Sequence, residues 1–147
     1  MLVAAVALGG CTTHPPRSTA VDSPDRLGPR IATVAVKTVG TPYRYGGESP
    51  SGFDCSGLVY FAYKSIGIDV PRTVEDQYRQ AQRVAAKDLR PGDLLFFRLN
   101  RRTVSHVGIY LGDQRFVHAP QNGKTVAYGQ LTTPYWRERL SGAGRFY

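Results

Sequence analysis

The chain has 147 residues, 41% of them hydrophobic and 20% charged, which supports one domain with its own core and leaves no room for several. Lys and Arg number 19 against 11 Asp and Glu, a formal charge of +8, densest at Arg98, Arg101 and Arg102; this favours anionic surfaces, but no helix-turn-helix, zinc-finger or RNA-recognition pattern accompanies it, so nucleic acid is not an expected partner. The two cysteines, Cys11 and Cys55, exclude a disulfide framework, and no Cys-x-x-Cys or His-rich cluster suggests a metal; neither metal nor cofactor is expected.

Residues 2–8 read LVAAVAL, too short an apolar run to span a bilayer and of the length of the apolar segment of a secretory signal. Leu8-Gly9-Gly10-Cys11 follows at once. Small residues before a cysteine resemble the lipobox of bacterial lipoproteins, which implies that Cys11 is acylated and holds the exported chain to a membrane, an outer membrane included. Residues 12–29 are rich in Pro, Ser, Thr, Asp and Arg and read as a flexible tether, His14 being solvated there. The folded domain is expected over residues 30–147.

Within it, residues 31–39 read as a helix stopped by Gly40 and the Thr41-Pro42 break. An aromatic, glycine-bearing loop follows, Pro42-Tyr43-Arg44-Tyr45-Gly46-Gly47. A core helix starts at Asp54, a preferred cap, with Leu58, Val59, Phe61, Ala62 and Ile66 at helical spacing and Gly67 as its stop. Thr73 caps a further helix over residues 74–84, with Glu75 and Asp76 in its first turn. Strands are expected over 94–97, 106–111, 115–119, 124–128 and 144–147. Helices first and strands after indicate an α+β fold, with N-terminal helices packed on a mostly antiparallel sheet.

Phe53-Asp54-Cys55-Ser56-Gly57 puts a cysteine in the first turn of a helix. A free thiol ionises near pH 8.5, at about that pKa, and the unpaired N–H groups of a helix start stabilise the thiolate and can also receive an oxyanion. A small buried hydrophobe fits Cys55 equally well. The histidines decide between the two. His106 and His118 fall on neighbouring strands. A three-residue loop over 112–114 would oppose Leu111 to Arg115 and Gly108 to His118. His106 is then the diagonal neighbour of His118 on one face, roughly 7–8 Å away. A two-residue loop without a bulge would put the two on opposite faces. With the odd loop, His106 is the candidate base for Cys55, and His118 fixes its tautomer and orientation.

Five segments in this order, the Pro42–Gly47 loop, the Phe53–Gly57 turn, Leu89-Arg90-Pro91-Gly92-Asp93-Leu94, Ser105-His106-Val107-Gly108-Ile109-Tyr110 and His118-Ala119, closely resemble the NlpC/p60 family of cell-wall cysteine peptidases. The resemblance runs from about Arg30 to Tyr147. It implies a papain-like fold and hydrolysis of peptide bonds in peptidoglycan stems or crosslinks, D-Glu–diaminopimelate or D-Ala–diaminopimelate. It implies Cys55 as nucleophile, His106 as base and His118 as third polar residue. It also implies that the Tyr43 hydroxyl lies near the thiol, helping the oxyanion site. Asp54, Ser56 and Ser105 flank these residues as candidate groove residues, Asp54 serving equally as a helix cap. The expected partners are peptidoglycan stem peptides and, through Cys11, a membrane, with the protein acting as a monomer. A papain-like amidase or acyltransferase on another substrate, and a non-catalytic wall-binding lipoprotein, would carry much of the same pattern.

Overall fold

The structure, a computed structural model, describes residues 23–100 and 102–147. Cys11, the signal and most of the expected tether lie outside the described residues.

The first helix, α1, spans Pro24–Lys37, so it takes in residues 24–29, which composition assigns to the tether. Pro24 at its start needs no hydrogen-bond partner there, and Asp25 sits in the first turn. Gly28, Ile31, Ala32 and Ala35 fall on one face and are buried, and this stripe turns a Pro-rich segment into a packed helix. The chain leaves α1 through Gly40 in the left-handed region (φ 91°). A small hairpin, β1 (Glu48–Ser49) and β2 (Gly52–Phe53), leads into α2 (Cys55–Lys64), which buries Leu58, Val59, Ala62 and Tyr63.

The next helix, α3, covers only Val74–Gln80. Thr73 caps it as expected, accepting from the Asp76 N–H, but the helix ends where Ala81 turns extended and β3 (Gln82–Val84) begins. The expected helix to residue 84 is therefore half strand: residues 82–84 pair with residues 143–145, and that long-range pairing outweighs local helical preference.

The sheet has six antiparallel strands in the order β3, β8 (Leu140–Arg145), β4 (Leu94–Phe97), β5 (His106–Gly112), β6 (Arg115–His118), β7 (Ala127–Gln130). Strands β4 to β6 fall where expected. The expected strand over 124–128 starts later, because residues 124–126 bond to the loop before α2: the Tyr43 N–H donates to Lys124 O and the Val126 N–H to Thr41 O. The last strand starts earlier, at Leu140, and follows directly on α4 (Pro134–Arg139), a helix with no apolar periodicity of its own.

Both faces of the sheet are covered, which is why Leu94-Leu95-Phe96-Phe97 is apolar throughout and buried at every position. Leu94, Phe96, Val107, Ile109 and Val117 pack against α1 and α2. Leu95, Phe97, Tyr110 and Phe116 form a second cluster with Leu131, Ala143 and Trp136. The β5–β6 turn is formed by Asp113 and Gln114 alone, both with positive φ (50° and 61°), the geometry of a two-residue hairpin turn. The expected three-residue loop is absent. A bulge between Tyr110 and Gly112 restores the same parity, since Ile109 opposes Val117 and Tyr110 opposes Phe116.

Asp93 pins the C-terminus to this frame. Its carboxylate, with no solvent exposure, accepts from Nε and Nη2 of Arg145 (2.7 and 2.8 Å), from the Tyr147 hydroxyl (3.0 Å) and from the Arg90 N–H (2.8 Å). Removing one partner of such a pair strands the other. Asp93→Ala is expected to lower the unfolding free energy by about 3–5 kcal/mol in urea denaturation.

Candidate active site

The site begins with Asp54. Its extended backbone ends the β2 segment, and its side chain caps α2, accepting from the Gly57 N–H at 2.7 Å. The other carboxylate oxygen accepts from the Gly46 N–H at 2.9 Å, which ties the aromatic loop to the helix start. Arg72 closes the arrangement with two nitrogens on Asp54 (3.0 and 2.9 Å) and a third contact to Glu48 (2.8 Å). The Ser56 hydroxyl lies within this set, donating to Asp54 and accepting from Arg72 at 3.0 Å. Gly57 must be glycine, because a Cβ there would run into the Gly47 carbonyl oxygen. Asp54 and Ser56, expected in the groove, therefore have their polar atoms engaged in holding it together. Ser105 is exposed, and its hydroxyl accepts from the Leu99 N–H at 3.3 Å, so it fastens the loop before β5.

Cys55 is the first residue of α2 and a free thiol. Backbone N–H groups of Val107, Ser56 and Cys55 itself point at its sulfur, which puts the thiol one residue along the chain from His106. Tyr43 is half-buried, and burial together with the nearby Cys55 and Asp54 raises its phenol above the usual range.

The histidines meet as the register requires. His106 and His118 are 2% and 5% exposed, and His106 Nε2 lies 2.9 Å from His118 Nδ1. That bond leaves Nδ1 of His106 as its free ring nitrogen. His106 opposes Phe97 across the β4–β5 pair, so the histidines share the face of the second cluster, while α2 packs on the other. The thiol approaches from the opposite side of the strand, past Val107.

The electrostatics differ from the expectation at Cys55. Burial pushes the thiol up to about 11, with the Asp54 carboxylate adding to it, and the three N–H groups only partly offset this. Burial likewise pushes His106 down to about 3, helped by His118, and His118 down to about 4. Desolvation disfavours every charged form here. Burial thus favours the neutral thiol and the neutral imidazole, and a neutral imidazole is the form that accepts a proton.

Two contributors carry no signal in the sequence. Arg72 follows Pro71 in a short loop, and nothing local marks it as a partner of Asp54. Trp136, on α4, stacks on His106 with ring centres 5.8 Å apart and planes 24° from parallel.

An α+β chain with a helix-start cysteine and a sheet-borne histidine pair has the papain-like arrangement. The chain belongs to the NlpC/P60 family, which it matches over residues 40–145. It is 46% identical over 112 residues to the probable endopeptidase YafL of Escherichia coli K12, covering 73% of this chain and 45% of that protein. It is 44% identical over 115 residues to the murein DD-endopeptidase MepH of the same organism, covering 75% of this chain and 42% of that one. An NlpC/P60 family protein from Bacillus cereus superposes with a TM-score of 0.75 at 36% identity, over 80% of this chain and 39% of its own. The chain thus spans less than half the length of these relatives.

The buried histidines have a consequence for acid stability. Unfolded histidines take up protons below about pH 6.5, whereas these two do so only near 4 and 3. As pH falls from 6.5 toward 4 the unfolded chain binds protons that the folded one refuses, so stability falls through that window and is unaffected by these groups above it. His118→Gln is expected to flatten the loss between pH 7 and 5 by up to about one proton's worth of slope, as measured by urea denaturation at a series of pH values.

Proposed function

We propose that this protein is a cysteine peptidase that hydrolyses peptide bonds in the stems or crosslinks of peptidoglycan, with Cys55 as nucleophile, His106 as general base and His118 as its orienting partner. The observation that carries this reading is the bonded His106–His118 pair, with His106 on the strand whose Val107 N–H points at a helix-start thiol. Membership of a family whose similar members are named endopeptidases, one of them a murein DD-endopeptidase, supports the substrate.

With burial favouring the neutral thiol and the neutral imidazole, the thiol proton passes to His106 as the sulfur attacks the scissile carbonyl carbon. The N–H groups at the start of α2, with the Tyr43 hydroxyl close by, receive the developing oxyanion. His106 returns the proton to the leaving amine, and an acyl-enzyme thioester forms. Neutral again, His106 then takes a proton from water, whose oxygen attacks the thioester, and the thiol is regenerated. His118 holds the ring of His106 in the tautomer that does this. The bond is D-Glu–diaminopimelate or D-Ala–diaminopimelate, and the protein works outside the cytoplasm, held to a membrane by an acylated Cys11.

Mass spectrometry of peptidoglycan fragments after incubation with the protein tests the reading. Cleavage is expected with the natural chain and none with Cys55→Ala, and the fragment masses identify the bond. His106→Ala is expected to lower kcat/KM by about 1,000-fold or more and His118→Ala by about 100-fold or more. Unchanged cleavage in Cys55→Ala would end the proposal.

A further inference from the structure

We propose that Trp136 is a positioning residue of the same site, its indole setting the plane of the His106 ring and closing the His106–His118 pair off from water on the sheet face opposite α2. This rests on the cysteine–histidine reading above, though its test does not depend on the substrate.

A single hydrogen bond joins the two imidazoles. One bond fixes a separation but restricts rotation of each ring about its bond to Cβ only in part, and a candidate base must present one nitrogen in one direction. Packing has to supply the remaining constraint. His106 is the first residue of β5, so no earlier residue of that strand walls it in. Phe97, its cross-strand neighbour, lies 6.1 Å away and tilted by 43°. Trp136 lies nearly parallel to the imidazole and stacks on it. The same indole stands edge-on to His118, at 4.8 Å and 80°. One side chain therefore holds both rings, each in a geometry that aromatic pairs favour.

Trp136 is itself held firmly. Phe97 and Phe116 meet it at 4.9 and 5.1 Å, both edge to face. The backbone of α4 is fixed to the sheet at its C-terminal end, where the Arg98 N–H donates to Arg139 O at 2.9 Å and Leu140 opposes Phe97. The histidines are buried while Trp136 is only half-buried, so the indole is the layer between the pair and solvent. Across β5 from the pair, the titratable group of α2 is Cys55, at whose sulfur the Val107 N–H points. What meets it from β4, β6 and α4 is aromatic: Phe97, Phe116 and Trp136. A plug chosen for bulk alone would serve as well with any apolar side chain. A residue chosen for its plane would not.

The test compares Trp136→Leu and Trp136→Phe in the full chain, with thermal unfolding as a check of folding. Two readouts are taken: the rate of Cys55 alkylation by iodoacetamide across pH, and kcat and KM on peptidoglycan fragments. Trp136→Leu is expected to slow alkylation at pH 7 about 10-fold and to lower kcat about 10-fold or more with KM within about 2-fold. The acid limb of both profiles is expected to move upward by about one pH unit, as water reaches the pair and protonation becomes easier. Trp136→Phe, which keeps a flat ring, is expected to recover most of both rates. Should Trp136→Leu fail to fold, Trp136→Met takes its place, filling the space without a plane. Natural alkylation rates and acid limbs in the folded Leu or Met variant would overturn the proposal, as would a Phe variant no better than Leu. If the natural protein cuts no fragment while alkylation still follows this order, the positioning role stands and the peptidase reading falls.

Discussion

The carboxylate of Asp54 is the point on which the site hangs. It accepts from the Gly57 N–H inside α2, from the Gly46 N–H in the aromatic loop, and from two nitrogens of Arg72 beyond the helix. Three segments are thereby fixed to one pair of oxygens. Charge-assisted bonds of this kind are stronger than neutral ones, and here they are largely shielded, the Asp54 side chain being 15% exposed. Cys55 follows directly, so its position relative to Tyr43 and to Val107 is set by the cap. A residue that looks like an ordinary helix N-cap is thus also the joint between the helix, the loop and the Arg72 segment.

Burial sets the chemistry that the joint supports. The same packing that fixes the rings strips water from the thiol and both imidazoles and disfavours charge on all three. The N–H groups at the sulfur oppose that effect, and in the proposed reaction those at the start of α2 face the developing negative charge. Burial thus favours the proton on sulfur and a neutral imidazole on the residue next to Val107. In the proposed reaction, proton transfer and bond formation are coupled, because burial favours neither ion alone.

Much of this was legible in the residues, and what was not has physical causes. The helix cap at Asp54, the thiol at the first turn and the strands carrying the two histidines follow from local chemistry and period. The shared face of His106 and His118 followed from parity, yet the device is a two-residue turn with a bulge where the residues read as a three-residue loop; the two have the same effect on side-chain direction, so the pattern cannot separate them. The start of α1 at Pro24 was hidden because composition reads prolines as chain breakers, whereas Pro24 stands at a helix start and needs no donor. Strand β3 and the late start of β7 depend on partners far along the chain, and no window of sequence contains them. Arg72 and Trp136 were invisible for the same reason: their roles are contacts, and neither residue type is diagnostic where it stands.

Trp136 is the sole tryptophan among the 147 residues, set among nine tyrosines. Light absorbed at the red edge of the indole band therefore excites one side chain, and that side chain lies against His106 and His118. A protonated imidazole in such contact quenches indole emission, and a molecule displacing solvent from the indole's exposed edge shifts its colour. The chain thus carries, without any label, an optical probe at its candidate site, and its intrinsic fluorescence is a local signal where in most proteins it is an average.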